Sequence, residues 1–182
     1  RGYDRIAVGG VDIGAYEREP NRPPVTVDDN YSVDEDALLT ISEPLGVLLN
    51  DMDPDGDDVT VIIENGPTHG QLTLNADGSF SYDSDPNWNG IDTFTYNTDD
   101  GVLQSTSPAT VTITVDPVND VPTVTDDATG TLEDIPKIIS STSLTSNDND
   151  IDGDSLTVIV DSGPSHGTLT PIPGQRYIYR SD

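Results

Sequence analysis

The chain has 182 residues, of which 34 are acidic and 7 are basic, so its formal net charge is −27, and it contains no cysteine. The acid excess disfavours nucleic acid as a partner because phosphate binding needs a basic surface. The lack of cysteine excludes disulfides, zinc–thiolate sites and thiol nucleophiles. The sequence also has no run of about 18 apolar residues that could span a membrane as a helix.

The acids are mostly aspartate, at 28 of 34, and between Pro23 and Pro136 there are 24 acids and no Lys or Arg. A chain with this balance repels itself, so it is either disordered or neutralised by something cationic. Regularly alternating apolar residues argue against disorder, since a solvated acidic tail has no such pattern.

The first predicted element is a strand-like segment at residues 1–20, broken by Gly and followed by a Pro-rich connector. Short β-branched or aromatic runs then alternate apolar residues with Ser, Thr or Gln, and they lie at residues 59–63, 71–74, 79–82, 93–96 and 110–115. Turn-forming residues such as those of Asn65-Gly66-Pro67 separate the runs. Strands at this spacing, with no amphipathic helix between them, predict an all-β chain of antiparallel β-sandwiches.

An internal repeat is the strongest signal in the sequence. Residues 50–85 align with residues 147–182 at an offset of 97 with 18 identities in 36 pairs, and the segments upstream align at an offset of 98. A unit of this length suits one Ig-sized sandwich. We therefore predict a complete domain at residues 21–118 and a second at 119–182 that lacks the last strands of the first.

The repeat resembles the cadherin-like, Ig-like tandem repeats of large bacterial surface proteins and adhesins. The residues that carry the resemblance are Asn21 to Pro24, Asp28-Asp29, Glu35-Asp36, Leu49 to Asp57, Pro67 to Gly70, Gly78 to Tyr82, Asn89 to Tyr96 and Val118 to Pro122. Residues 10–17 are similar to the closing segment of right-handed parallel β-helix domains in the same class of protein. The resemblance implies tandem Greek-key sandwiches, the second one incomplete, that follow a β-helix domain in a secreted protein of the bacterial cell surface.

Two acidic loops supply candidate metal ligands. Four Asp residues alternate around a Gly in each repeat, and they are Asp51, Asp53, Asp55 and Asp57 in the first and Asp148, Asp150, Asp152 and Asp154 in the second. Alternate side chains of an irregular loop can turn inward together, and hard oxygen ligands suit Ca²⁺. The loops are not EF-hands, because Ile62 and Ile159 stand where a bidentate Glu is required. The alternative is a solvated acidic turn, which the recurrence of the spacing disfavours.

A second acidic group lies at the joint between the repeats and resembles the linker of cadherin-type repeats, in which acidic residues of both neighbours bind Ca²⁺. By that resemblance the further candidate ligands are Asp116, Asn119, Asp120, Glu35, Asp36, Glu133 and Asp134. An ordinary polar linker is an equally good interpretation. Arg22 stands where the second repeat has Asp120, so a cation is less expected at the first joint.

No catalytic constellation is apparent in the sequence. His69 and His166 occupy equivalent Pro-x-His-Gly turns, which favours a structural role, and neither a nucleophile elbow nor a Walker lysine accompanies them. A sugar-binding platform could use the aromatic residues Tyr82, Trp88, Phe94 and Tyr96, but core packing explains them more simply.

The sequence therefore predicts a non-enzymatic, extracellular structural and adhesive module that is stiffened by Ca²⁺ in its acidic loops and linkers. Its expected partners are neighbouring repeats, with cell-surface or matrix glycans as further candidates. The alternatives are a Ca²⁺-dependent carbohydrate-binding module and a non-catalytic appendage of a β-helix polysaccharide-active enzyme. A further alternative is a filament, in which the N-terminal strand segment of one chain completes the open second unit of another copy.

Overall fold

The computed structural model describes residues 20–182, which form ten strands and one single-turn helix. The strands up to residue 116 are β1 (Asp29–Asp34), β2 (Leu39–Ile41), β3 (Thr60–Asn65), β4 (Gly70–Leu74), β5 (Phe80–Ser84), β6 (Gly90–Asp99) and β7 (Ala109–Asp116). The later elements are β8 (Lys137–Ser140), α1 (Ser141–Leu144), β9 (Thr168–Ile172) and β10 (Arg176–Arg180). The predicted N-terminal strand, and the strand donation that depends on it, fall on residues 1–19, outside the described part.

All five β-branched or aromatic runs form strands, which are β3 to β7. Burial alternates residue by residue along β6 and β7, because successive side chains of a strand point to opposite faces of the sheet. The prediction of an all-β chain is confirmed.

The chain divides into two units between Asp116 and Pro117. In the first unit one sheet has the strand order β1-β7-β6-β3 and the other has the order β2-β5-β4. Neighbouring strands are antiparallel except β1 and β7, which run parallel with Asp29 opposite Val111 and Asp34 opposite Asp116. The sequence predicted antiparallel pairing, whereas this pair is parallel because most of the domain separates the two strands and supplies the long crossover.

The core of the first unit forms where the two sheets face each other. Among the described residues, every buried hydrophobic side chain belongs to this unit, and the set is Leu39, Val47, Phe80, Tyr82, Phe94, Tyr96, Ala109, Val111, Ile113 and Val115. Phe80 of one sheet contacts Phe94 of the other edge to face, with ring centroids 5.6 Å apart. Burying one such aromatic ring stabilises the fold by about 1.5–3 kcal/mol, so these contacts hold the two sheets together.

The second unit has one three-stranded sheet, β8-β10-β9, in the same order as β2-β5-β4. Residues 127–132 and 157–162, the counterparts of β1 and β3, are not in strands. In the first unit these strands pair with β7 and β6, which have no counterpart among the described residues of the second unit. Leu132 and Ile159 are consequently 72% and 87% exposed.

Candidate functional site

The acidic loop of the first unit is organised by Asp53, whose side chain is buried. Its Oδ1 accepts hydrogen bonds from the backbone N–H groups of Asp55 at 2.7 Å and Asp57 at 3.3 Å. The loop turns at Gly56, whose φ of 81° lies in the left-handed region that glycine adopts without strain. Asp53 therefore closes the loop as an Asx turn.

Asp51 ties the same loop to the first sheet. Its Oδ1 accepts the N–H of Val27 at 2.7 Å, and its Oδ2 lies 2.9 Å from the hydroxyl of Tyr96. That buried hydroxyl also lies 3.1 Å from Oδ2 of Asp29 and 2.8 Å from the carbonyl of Val47. Burial raises the pKa of Asp29 to about 6, and the hydrogen bond with Tyr96 offsets this only in part. Burial also raises the pKa of Asp51.

Asp55 is paired with Arg22. The guanidinium of Arg22 reaches Oδ1 with Nη2 at 2.7 Å and Nε at 3.0 Å, and its backbone N–H donates to Oδ2 at 2.7 Å. The same Nη2 donates to the carbonyl of Pro54 at 2.6 Å. The side-chain and backbone hydrogen bonds from Arg22 lower the pKa of Asp55.

The second unit builds the same loop from the equivalent residues. Oδ1 of Asp150 accepts the N–H groups of Asp152 and Asp154, both at 3.1 Å. Oδ1 of Asp148 accepts the N–H of Thr125 at 2.8 Å, as Asp51 accepts that of Val27. Gly153 has a φ of 78°, close to that of its counterpart Gly56.

The alternating carboxylates do not converge into a preformed ligand set in either loop. Among residues 20–182, no group of three or more Asp, Glu or His side chains is placed to hold a metal ion. Asp53 is only 9% exposed, however, and its Oδ2 is buried without a hydrogen-bond partner. An unsatisfied buried carboxylate oxygen costs free energy, so this atom is one that a cation would satisfy.

The candidate ligands at the joint are divided between the two units. In the first unit, Glu35 is 4% exposed, its N–H donates to the carbonyl of Asp116 at 2.8 Å, and its Oε2 lies 3.4 Å from the side-chain amide of Asn89. Asp36 has a φ of 59°, and its Oδ1 accepts the N–H of Asn87 at 2.9 Å.

In the second unit, Asp134 repeats the positive φ of its counterpart, at 62°, and Glu133 is exposed beside it. The side-chain amide of Asn119 donates to the carbonyl of Asp120 at 2.9 Å, and the N–H of Asp120 donates to Oδ2 of Asp152 at 2.6 Å. A shared metal site at the joint remains a prediction.

Asp92 is a buried carboxylate that the sequence did not single out as a candidate. It is 2% exposed and accepts the N–H groups of Thr68, His69 and Thr93 at 2.8–3.0 Å and the hydroxyl of Tyr82 at 3.0 Å. Burial acts to raise its pKa, but these hydrogen bonds prevail and lower it. Its place on β6, on the same face as the buried aromatic residues, was the available signal that this Asp points inward.

The aromatic residues form core rather than an open platform. Tyr82, Phe94 and Tyr96 are at most 1% exposed. Trp88 is half-buried, packs against the core and is stacked on the ring of His69, with centroids 4.3 Å apart and ring planes 3° from parallel. The Pro-x-His-Gly turn is thus held in place by hydrogen bonds to the Asp92 carboxylate and by stacking of His69 on Trp88.

Comparison with known protein families identifies both repeats. The profile of the bacterial cadherin-like domain matches residues 21–117, and that of a cadherin-like domain matches residues 118–179. The chain belongs to the bacterial cadherin-like domain family. Domains of this family are typically non-catalytic and extracellular. In the described part of this cadherin-like chain, no helix has the length and apolar character needed to cross a membrane.

Among solved structures, the chain is similar to the endo-fucoidan hydrolase MfFcnA4 of glycoside hydrolase family 107, with 22% identity over 87% of this chain and a TM-score of 0.34. It is similar also to the endo-fucoidan hydrolase MfFcnA9, with 17% identity over 88% of this chain and a TM-score of 0.37. The cadherin-like chain spans 24% and 29% of the length of those two structures. No curated protein sequence matches it.

Proposed function

We propose that this chain is an extracellular structural and adhesive module of a bacterial surface protein, and that Ca²⁺ bound in its two acidic loops stabilises it. Membership of the bacterial cadherin-like family supports an extracellular module. The two acidic loops support bound Ca²⁺. The observation that carries the proposal is that both repeats build the same Asp-rich loop with the same hydrogen bonds, at positions 97 residues apart.

The residues present fit a calcium ion by their chemistry. Each loop offers four carboxylates and several backbone carbonyls, and Ca²⁺ accepts six to eight oxygen ligands in a flexible arrangement. The buried, unpartnered Oδ2 of Asp53 is a ligand oxygen that already lies out of water. A Ca²⁺ ion would give this oxygen the partner that the loop itself does not supply.

In each loop the ligands would be Asp51, Asp53, Asp55 and Asp57 or their counterparts Asp148, Asp150, Asp152 and Asp154. Asp53 already holds the loop closed through its other oxygen, Oδ1, so its Oδ2 can contribute without opening the turn. Asp51 joins the loop to the N–H of Val27, so an ion bound here would link two segments that are about 25 residues apart in sequence. The bound ion neutralises carboxylates that otherwise repel each other.

Thermal unfolding of the chain in excess Ca²⁺ and in excess EGTA tests the proposal. Ca²⁺ binds the folded loops and not the unfolded chain, so at about 100 times its Kd it adds about 2.7 kcal/mol of stability. For a domain of this size, that gain raises the melting temperature by roughly 10–20 °C. Equal melting temperatures in Ca²⁺ and EGTA would contradict the calcium part of the proposal.

Two variants locate the effect in the loops. Asp53→Asn and Asp150→Asn keep the shape of the side chain and one acceptor oxygen but remove a charge, so each should reduce the rise in melting temperature. Asp83→Asn is the matched control, because Asp83 is an exposed residue of strand β5 and belongs to neither acidic loop. The calcium-induced rise should be unchanged in that control.

A further inference from the structure

The three-stranded sheet of the second unit differs in charge from its counterpart in the first unit. Strands β8, β9 and β10 have four, five and five residues, and none of these residues is acidic. Three of the four basic residues at positions 20–182 lie in these strands, and they are Lys137, Arg176 and Arg180. The equivalent strands β2, β4 and β5 contain no basic residue and one acid, Asp83. The charge of the sheet is therefore reversed between the repeats, in a chain that has 34 acids.

The exchange is concentrated on one face of the sheet. Successive side chains of a strand point to opposite faces, and Tyr179 is equivalent to Tyr82, which is fully buried in the core of the first unit. Arg176, Ile178 and Arg180 therefore lie on the outer face of β10, away from the core side. From the first repeat to the second, the outer-face residues change from Thr40 to Ile138, from Ser79 to Arg176, from Ser81 to Ile178 and from Asp83 to Arg180. These four residues of the second repeat form the Arg–Ile face.

The Arg–Ile face is open to solvent. Both arginines are exposed, and Ile138 is 56% exposed. The equivalent residues Thr40 and Asp83 are exposed in the first unit, where both sheets are formed. The exposure is therefore a property of this face in the repeat. It does not arise because β6 and β7 lack counterparts among the described residues of the second unit.

The two arginines can both bind an external anion. Between residues 20 and 182, neither of them forms an ion pair with a carboxylate. Arg176 donates from Nε and Nη2 to the carbonyl of Pro173, at 3.2 and 3.1 Å, which uses two of its five N–H groups. This contact anchors the side chain and leaves the remaining N–H groups for a ligand. Guanidinium groups bind oxyanions through pairs of parallel N–H donors.

The size and shape of the face favour an extended polymer over a folded protein. Three strands about 4.8 Å apart, with five residues of about 3.4 Å each, give a face of about 250 Å². A stable protein–protein interface needs about 800 Å² on each partner. Arg176 and Arg180 are four residues apart on one strand, so their Cα atoms are separated by about 13 Å, with Ile178 between them. Anionic groups spaced along a polymer can engage both arginines, while the isoleucine contacts the C–H surface of a sugar ring.

We propose that the Arg–Ile face of the second repeat binds an acidic polysaccharide, whose sulfate or carboxylate groups contact Arg176 and Arg180. This inference deepens the adhesive part of the proposed function and rests on it, because it names the surface and the class of ligand. The acidic remainder of the chain repels a polyanion at long range, but exposed charges more than about 8 Å away are largely screened at physiological ionic strength. One such face binds weakly, and attachment is strengthened where several contacts act together.

Isothermal titration calorimetry of the whole chain with three matched polymers tests the proposal. The polymers are dextran, dextran sulfate and carboxymethyl dextran, at about 0.15 M salt. EGTA is present, so that Ca²⁺ cannot bridge a charged polymer to the acidic loops. At least one charged polymer should bind and uncharged dextran should not, because the arginines make charge-assisted hydrogen bonds. Comparison of the two charged polymers shows whether the arginines prefer sulfate or carboxylate.

Variants locate the contact on the Arg–Ile face. Arg176→Ser combined with Arg180→Asp restores the residues of the first repeat and should weaken binding of the charged polymer at least about tenfold. Arg180→Gln and Lys137→Gln each remove one positive charge from the same sheet, but Lys137 is paired with Tyr179 and lies on the opposite face. Arg180→Gln should weaken binding, by less than the double variant, and Lys137→Gln should leave it unchanged. Arg180→Gln also provides the comparison where the double variant fails to fold.

The outcomes are distinguishable. If neither charged polymer binds, or if Lys137→Gln weakens binding as much as Arg180→Gln does, the inference is overturned. Unfolding in Ca²⁺ and in EGTA tests the calcium-stabilised module separately, so that proposal can stand when this one fails. If sedimentation shows oligomers that the double variant does not form, the face binds an acidic surface of another copy, and the polysaccharide is the wrong ligand.

Discussion

A single hydroxyl connects the acidic loop of the first unit to its core. Tyr96 has one proton to donate, yet its oxygen lies within 3.1 Å of three acceptors, which are Oδ2 of Asp29, Oδ2 of Asp51 and the carbonyl of Val47. At most one of these contacts can use that proton. Burial is the main reason that the pKa of Asp29 is raised to about 6; the hydrogen bond with Tyr96 lowers it, and repulsion from the Asp51 carboxylate adds to the rise.

The raised pKa of Asp29 predicts a pH dependence of stability. Because the folded-state pKa of about 6 lies above the ordinary value of 3.8, the folded state binds the proton more tightly than the unfolded state does. Stability from this group is therefore complete below about pH 4 and is lost as the pH rises through 6. Allowing for partial solvent screening, the loss is about 1–2 kcal/mol by pH 7.5.

Asp29→Asn removes the titration and keeps the side-chain shape, so its stability relative to the unmodified chain should rise between pH 4 and pH 7.5. Urea unfolding in EGTA across this range measures the difference, since the other carboxylates titrate in both proteins and cancel. A constant difference for Asp29→Asn would show that this carboxyl does not titrate as described.

At the level of the elements, the Pro-x-His-Gly turn positions β4 against β5. A Cβ on Gly70 would meet the carbonyl oxygen of Asp83 at 2.5 Å and the ring of Tyr82 at 2.7 Å. A Cβ on Gly167, its counterpart in the second unit, would lie even closer to the carbonyl oxygen of Arg180. The Gly of this motif is therefore required by the close approach of the neighbouring strand, and the ring of His69 before it is stacked on Trp88.

Gly70→Ala should destabilise the first unit by about 1–3 kcal/mol, because the added methyl group meets backbone atoms that cannot move without disturbing β5. Gly66→Ala is the matched control, since a Cβ at Gly66 has nothing within 4 Å. Its stability should equal or slightly exceed that of the unmodified chain. Urea unfolding of both variants gives the comparison, and equal stabilities would contradict the packing described for this turn.

At the level of the whole molecule, local pattern predicted the fold well and the site less well. The five strand runs and the repeat offset were visible because alternation and spacing are properties of the sequence itself. The parallel pairing of β1 with β7 and the inward-pointing Asp92 were not, since they depend on which distant segments meet. The alternating Asp residues suggested one converging set, whereas the structure engages Asp51 with Tyr96, Asp53 with its own loop and Asp55 with Arg22.

The same dependence on partners explains why equivalent sequences differ in structure between the units. Residues 157–162 retain three of the six residues of β3 in the same order, Thr-Val-Ile, but are not in a strand. Strand β3 is formed by pairing with β6 from Thr60 to Asn65, and isolated strands are unstable in water because their backbone groups are unpaired. Residues 127–132 likewise correspond to β1 but are not in a strand, whereas β1 is formed by pairing with β7.

Hydrogen exchange of the whole chain should therefore separate the units. Amides of β6 and β7 lie inside the larger sheet of the first unit and open only with it, so they should stay protected for hours, whereas amides of residues 127–132 and 157–162 should exchange within about seconds to minutes. Strands β1 and β3 are the internal control, because they are the equivalent segments with their partners present, and they should exchange more slowly than their counterparts. Equal exchange in the two units would contradict the view that strand partners, rather than local sequence, decide which segments fold.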